Sequence, residues 1–94
     1  MNQDIAVRVF ISGRVQGVWY RGWTVKAAGA RGLRGWVRNR RDGRVEALLI
    51  GPAEAIEAVI RDCQQGPPAA RVDAIERVSA ADDGSVGFDQ MPTV

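Results

Sequence analysis

The sequence predicts an α+β fold, a two-layer sandwich in which two helices cover one face of a sheet containing antiparallel strands. Three observations carry this. The 94 residues suffice for one hydrophobic core but not for two, so residues 1–94 are expected to form a single domain. A hydrophobic fraction of 46% with 26% charged residues is that of a folded globule rather than a disordered chain. Segments of period two and segments of helical period alternate along the chain in the order β-α-β-β-α-β, with one more strand-like segment behind them.

The first strand is read from Ala6 to Ser12. In "AVRVFIS", Val7, Val9 and Ile11 alternate with Arg8, Phe10 and Ser12, so one face is apolar throughout. A loop rich in glycine follows, and an alanine-rich stretch from Tyr20 to Arg31 predicts a helix. Gly22 and Gly29 within it each cost about 1 kcal/mol relative to alanine. "GLRGWVRN" and "RVEALLI" then flank "RRDG", where Asp42-Gly43 signals a tight hairpin between two antiparallel strands.

The second helix has the clearer pattern. Pro52 suits a first helical turn, and Ile56, Val59, Ile60 and Cys63 recur at i, i+3, i+4 and i+7, with Glu54, Glu57, Arg61 and Asp62 opposite. "GPP" at 66–68 ends it, "ARVDAIERVS" reads as a fourth strand, and Val86 to Met91 as a fifth. This order, with its extra C-terminal strand, is that of a ferredoxin-like sandwich.

Composition excludes much chemistry. Without histidine the chain has no Ser-His-Asp or Cys-His nucleophile pair and no imidazole acid or base. One cysteine forms neither an internal disulfide nor a thiolate metal site, and no paired carboxylates of the glycosidase kind are recognisable. No metal or cofactor is expected. The start lacks a signal-peptide pattern and no apolar run is long enough for a bilayer, so a cytoplasmic protein without membrane contact is expected. Charge is uneven: residues 14–44 carry a net +8 and residues 45–94 a net −6, which predicts a basic face and an anionic partner.

"SGRVQGVWYRGW" joins the first strand to the first helix. The leading N–H groups of a helix have no intrahelical acceptor and its dipole adds positive potential, so such a junction suits an anion. Gly13 and Gly17 would let successive amides turn inward as a nest, and Arg21 offers a planar fork for two phosphate oxygens. Spacing alone leaves open that the glycines serve only the turn and that Arg21 is a solvated arginine. The loop is not a Walker A motif, since it lacks Gly-Lys-Ser/Thr.

"GRVQGVWYR" together with "GWVRNRRDGRVE" resembles the paired signatures of the acylphosphatase family, and the similarity continues through "GPAEAIEAVI" and "GPPAARVD" over nearly the whole chain. The resemblance implies a ferredoxin-like enzyme that hydrolyses the carboxyl–phosphate bond of acyl phosphates, releasing a carboxylate and inorganic phosphate without metal, and acting as a monomer. It implies that the backbone of Arg14, Val15, Gln16, Gly17, Val18, Trp19 and Tyr20 wraps the phosphate, that Arg21 grips it, and that Asn39 positions the attacking water. The chain departs from the pattern at Tyr20, where phenylalanine is frequent, and at Gly22, where bulkier residues are.

Other readings stand beside this one. A non-catalytic ferredoxin-like module that binds an anion or nucleic acid would show the same loop. Nucleic acid is disfavoured because the central strands offer only Phe10 for base stacking. Trp36 is expected in or beside the core and Trp19 as a shield for the phosphate pocket. Cys63 lies on the apolar stripe, and seven residues separate it from Arg71 where cysteine phosphatases have five, so it reads as core.

Overall fold

A computed structural model describes residues 3–94 of the chain. Its elements are β1 (Asp4–Arg14), α1 (Tyr20–Ala30), β2 (Arg34–Asn39), β3 (Val45–Pro52), α2 (Ala53–Cys63), β4 (Arg71–Ala80) and β5 (Phe88–Gln90). The strands form one sheet in the order β4-β1-β3-β2-β5. This is the ferredoxin-like sandwich, with β5 added beside β2. All neighbours are antiparallel except β5, which runs parallel to β2, so the sheet is mixed.

Pairing follows the apolar periods. Val7, Val9 and Ile11 stand opposite Leu49, Ala47 and Val45, and all six are buried on the helix-facing side. Against them lie Ile56, Val59, Ile60 and Cys63 of α2, while α1 contributes Tyr20, Thr24 and Ala28 at four-residue intervals. Fully burying an aliphatic side chain is worth about 1.5–3 kcal/mol, so this layer is the main stabilising term. Thr24 is accommodated because its hydroxyl donates to the Tyr20 carbonyl at 2.8 Å.

The face of the sheet away from the helices is covered too. Glu46, Leu48 and Ile50 of β3 point away from the helices and are nonetheless buried. Leu48 is flanked by Arg8 and Trp36, and Glu46 by Phe10 and Arg38. Glu46 accepts hydrogen bonds from Arg38 Nε and Arg40 Nη1, both at 2.9 Å, with Arg8 Nε 3.5 Å away. The Arg38 guanidinium lies 4.5 Å from the Trp36 ring centre and that of Arg44 4.8 Å from Phe10. Both rings are therefore roofed by arginines of their own chain, and Arg38, Arg40 and Arg44 share the carboxylates of Glu46 and Asp42.

Boundaries shift at three places. β1 continues past Ser12 through a bulge at Ser12/Gly13 to Arg14, which pairs with Arg71. Pro52 closes β3 and caps α2 from an extended backbone instead of lying in its first turn. β5 is shorter than expected, beginning at Phe88. Among the described residues no helix is long and apolar enough to cross a membrane.

Candidate active site

The chain leaves β1 at Arg14 and enters α1 at Tyr20, and the intervening backbone turns twice through positive φ, at Gly17 (74°) and Trp19 (69°). Such reversals bring neighbouring amides to one side, and glycine makes the first of them free of strain. The loop is anchored from behind. Val15 and Val18 are buried in the core, and the Gln16 side-chain amide donates to the carbonyls of Arg40 and Arg44 at 2.7 and 3.0 Å.

The start of α1 is uncapped. Its N-cap residue is Trp19, in the left-handed region and without a side-chain cap, and the first backbone bond inside the helix is Trp23 N–H to the Trp19 carbonyl. The N–H groups of Tyr20, Arg21 and Gly22 thus have no intrahelical acceptor. Among the described residues none of the loop backbone hydrogen bonds is donated by Val15, Gly17 or Val18 either. All of these donors but Val18 belong to residues that gather around one place.

That place is a pocket of about 110 Å³ lined by Val15, Gly17, Trp19, Tyr20, Arg21, Gly22, Asn39 and Gln90. A water needs about 10–15 Å³ on this measure, so the pocket has room for a group of several heavy atoms together with a solvent molecule. Its single formal charge is that of Arg21, and no acid lines it. Arg21 is half-buried and, among the described residues, makes no ion pair or hydrogen bond, unlike Arg34, Arg38, Arg40 and Arg44.

Asn39, the last residue of β2, shares the helix-facing side with Gly35 and Val37, and its backbone carbonyl is held by the Val94 N–H at 3.1 Å. Its Oδ1 is buried and has no hydrogen-bond partner. A buried acceptor left unpaired is costly, and this one belongs to a residue that lines the same pocket as Arg21. Chemically the arrangement can bind a compact anion through N–H donors and orient one water through the Asn39 amide.

The structure therefore brings Arg21 and Asn39 to one pocket, with Val15, Gly17, Trp19 and Tyr20 of the predicted loop. Arg14, Gln16 and Val18 are not among the lining residues: Arg14 ends β1, Gln16 turns to the hairpin and Val18 packs inward. Two lining residues were not foreseen. Gln90 arrives through the parallel pairing of β5, opposite Val37, which no local pattern announces. Gly22 is explained by contact, since a Cβ there would overlap the Trp19 indole nitrogen. Cys63 lies in the core with its thiol pKa pushed up to about 12 by burial, which removes it as a nucleophile. Among the described residues no three His, Cys, Asp or Glu are grouped so as to hold a metal ion.

Comparison with known proteins finds similarity over nearly the whole chain. The family model described as Acylphosphatase matches residues 7–90. An acylphosphatase of Rhodospirillum rubrum is 56% identical over 86 residues, spanning 92% of this chain and 94% of that protein. One from Rhizorhabdus wittichii is 51% identical over 90 residues, spanning 96% and 91%. The crystal structure of acylphosphatase from Bacillus subtilis superposes with a TM-score of 0.89 at 36% identity, covering 93% of this chain and 98% of that one.

Proposed function

The chain belongs to the acylphosphatase family, and on that premise we propose that its pocket hydrolyses the carboxyl–phosphate bond of acyl phosphates with Arg21 and Asn39 as catalytic residues. The observation that carries the assignment is their convergence: Arg21, whose side chain has no partner among the described residues, and Asn39, whose amide oxygen has none, line one pocket at the uncapped start of α1.

The phosphoryl group sits among the free amides of the loop and first helical turn, with Arg21 holding two of its oxygens. Asn39 Oδ1 accepts a hydrogen bond from a water and so directs the water oxygen at phosphorus; a carboxamide orients but does not act as a strong base. As the water oxygen bonds to phosphorus, the bond from phosphorus to the carboxylate oxygen breaks and its electron pair leaves with the carboxylate. A water proton passes to a phosphate oxygen, giving inorganic phosphate. The transition state spreads negative charge over the equatorial oxygens, where Arg21 and the amides lie.

The absence of histidine fits this reaction. A carboxylic acid of the glutamic type has a pKa of about 4.3, so the product departs as an anion and needs no general acid. The same reading takes the protein as a cytoplasmic monomer acting on a diffusible acyl phosphate.

The test is hydrolysis of benzoyl phosphate in the presence of a chelator, by the native protein and by folded Arg21→Ala and Arg21→Lys. Turnover is expected, with alanine costing about a thousandfold or more and lysine restoring only part, because a point charge lacks the fork. A native protein that binds phosphate yet turns over no acyl phosphate would replace the enzyme with a binding module.

A further inference from the structure

Trp19 has a placement that the phosphate reading does not use. Trp23 packs on Tyr20 with ring centres 5.5 Å apart, and the Trp36 indole N–H donates to Asp83 at 3.1 Å. Trp19 has neither a ring partner nor a hydrogen-bond acceptor among the described residues, and 60% of it is exposed. Its φ of 69° is one that a bulky residue rarely adopts. The adjoining helical position is emptied for it, since any side chain larger than hydrogen at Gly22 would meet the indole. A strained backbone and a vacated neighbour together hold an aromatic ring at the rim of the pocket.

We propose that the exposed face of Trp19 is the subsite for the acyl group, favouring acyl phosphates with flat or apolar acyl chains. This rests on the hydrolase reading above and adds its substrate preference. The pocket has room for the phosphoryl end and a water, so the acyl end emerges at the mouth. Of the lining residues exposed there, Gly17 has no side chain and Gln90 is polar, which leaves Trp19 as the apolar surface on offer. An aromatic acyl group stacked on it removes apolar area from water and gains ring–ring contact, whereas an acetyl group covers little of it.

The experiment compares kcat/KM for benzoyl phosphate with that for acetyl phosphate, as a ratio, in the native protein, Trp19→Ala, Trp19→Phe and Gly22→Ala, each checked by circular dichroism. Alanine meets the same backbone demand as tryptophan at this position, so it does not relax the loop. The ratio is expected to fall about tenfold in Trp19→Ala, to stay within about threefold of native in Trp19→Phe, and to fall in Gly22→Ala, where the new methyl displaces the ring. Should Trp19→Ala not fold, Gly22→Ala alone decides. An unchanged ratio, including an equal loss on both substrates, overturns the acyl subsite and leaves the hydrolase reading standing. A native protein inert towards both substrates overturns the two together.

Discussion

The Tyr20 hydroxyl donates to the backbone carbonyl of Cys63 across 2.6 Å, joining the first residue of α1 to the last of α2. Both groups are buried, and the carbonyl belongs to a helix end that lacks intrahelical donors. Tyr20→Phe is therefore expected to lower the unfolding free energy by about 1–2 kcal/mol, measured by urea denaturation. The link also fixes where α1 starts, at the edge of the pocket.

Gln16 fastens the loop to the hairpin through two carbonyls. Gln16→Ala is expected to cost about 1–2 kcal/mol of stability and to weaken competitive inhibition by inorganic phosphate about threefold or more, because the amide row loses its support. A stability loss with unaltered phosphate inhibition would make the contact purely structural.

Glu46 is expected to make the stability of the protein sensitive to acid. Burial opposes its charge, but hydrogen bonds from Arg38 and Arg40 outweigh that, and its pKa lies below the ordinary 4.5. Hydrogen bonds from Arg44 lower Asp42, and those from Arg34 lower Asp82. Each native carboxylate thus binds its proton less tightly than the unfolded chain does. Their stabilisation is complete above the ordinary carboxylate pKa and is lost as pH falls through the native values. Urea denaturation should show a plateau over about pH 6–8 and a decline below about pH 4.5. Glu46→Gln should cost about 2 kcal/mol at neutral pH, less than a fully buried pair because the arginines stay partly hydrated, and should flatten the upper part of the decline.

Cys63 is expected to resist thiol reagents in the native protein and to react on unfolding, since its thiol is buried and burial pushes its pKa up to about 12. Labelling by Ellman's reagent with and without urea reads this directly, and fast native-state labelling would contradict it.

Much of the fold was legible because its signals are local. Val7, Val9 and Ile11 announce a strand with one apolar face, Ile56 to Cys63 a helical stripe, and Asp42-Gly43 a hairpin; each lies in the structure where its period placed it. The parallel pairing of β5, and with it the arrival of Gln90 at the pocket, depends on contacts across more than fifty residues and leaves no periodic trace. Glu46 was hidden for a related reason: an acid between Val45 and Ala47 reads as solvent-facing until Arg38 and Arg40 are known to close over it. In the site, the helix start pointed to Arg21 without excluding a solvated arginine and Asn39 was named only through the family resemblance, whereas the orientation of Gln16 towards the hairpin depends on two distant carbonyls.

In the proposed mechanism Arg21 and Asn39 act on one phosphoryl group, one as its anchor and the other through the attacking water. Steady-state hydrolysis of benzoyl phosphate by Asn39→Ala, with the inhibition constant of inorganic phosphate measured alongside, tests it most directly. The account requires kcat to fall about a hundredfold or more while phosphate inhibition changes by only a few-fold. Equal losses in both, or native turnover in the variant, would contradict it.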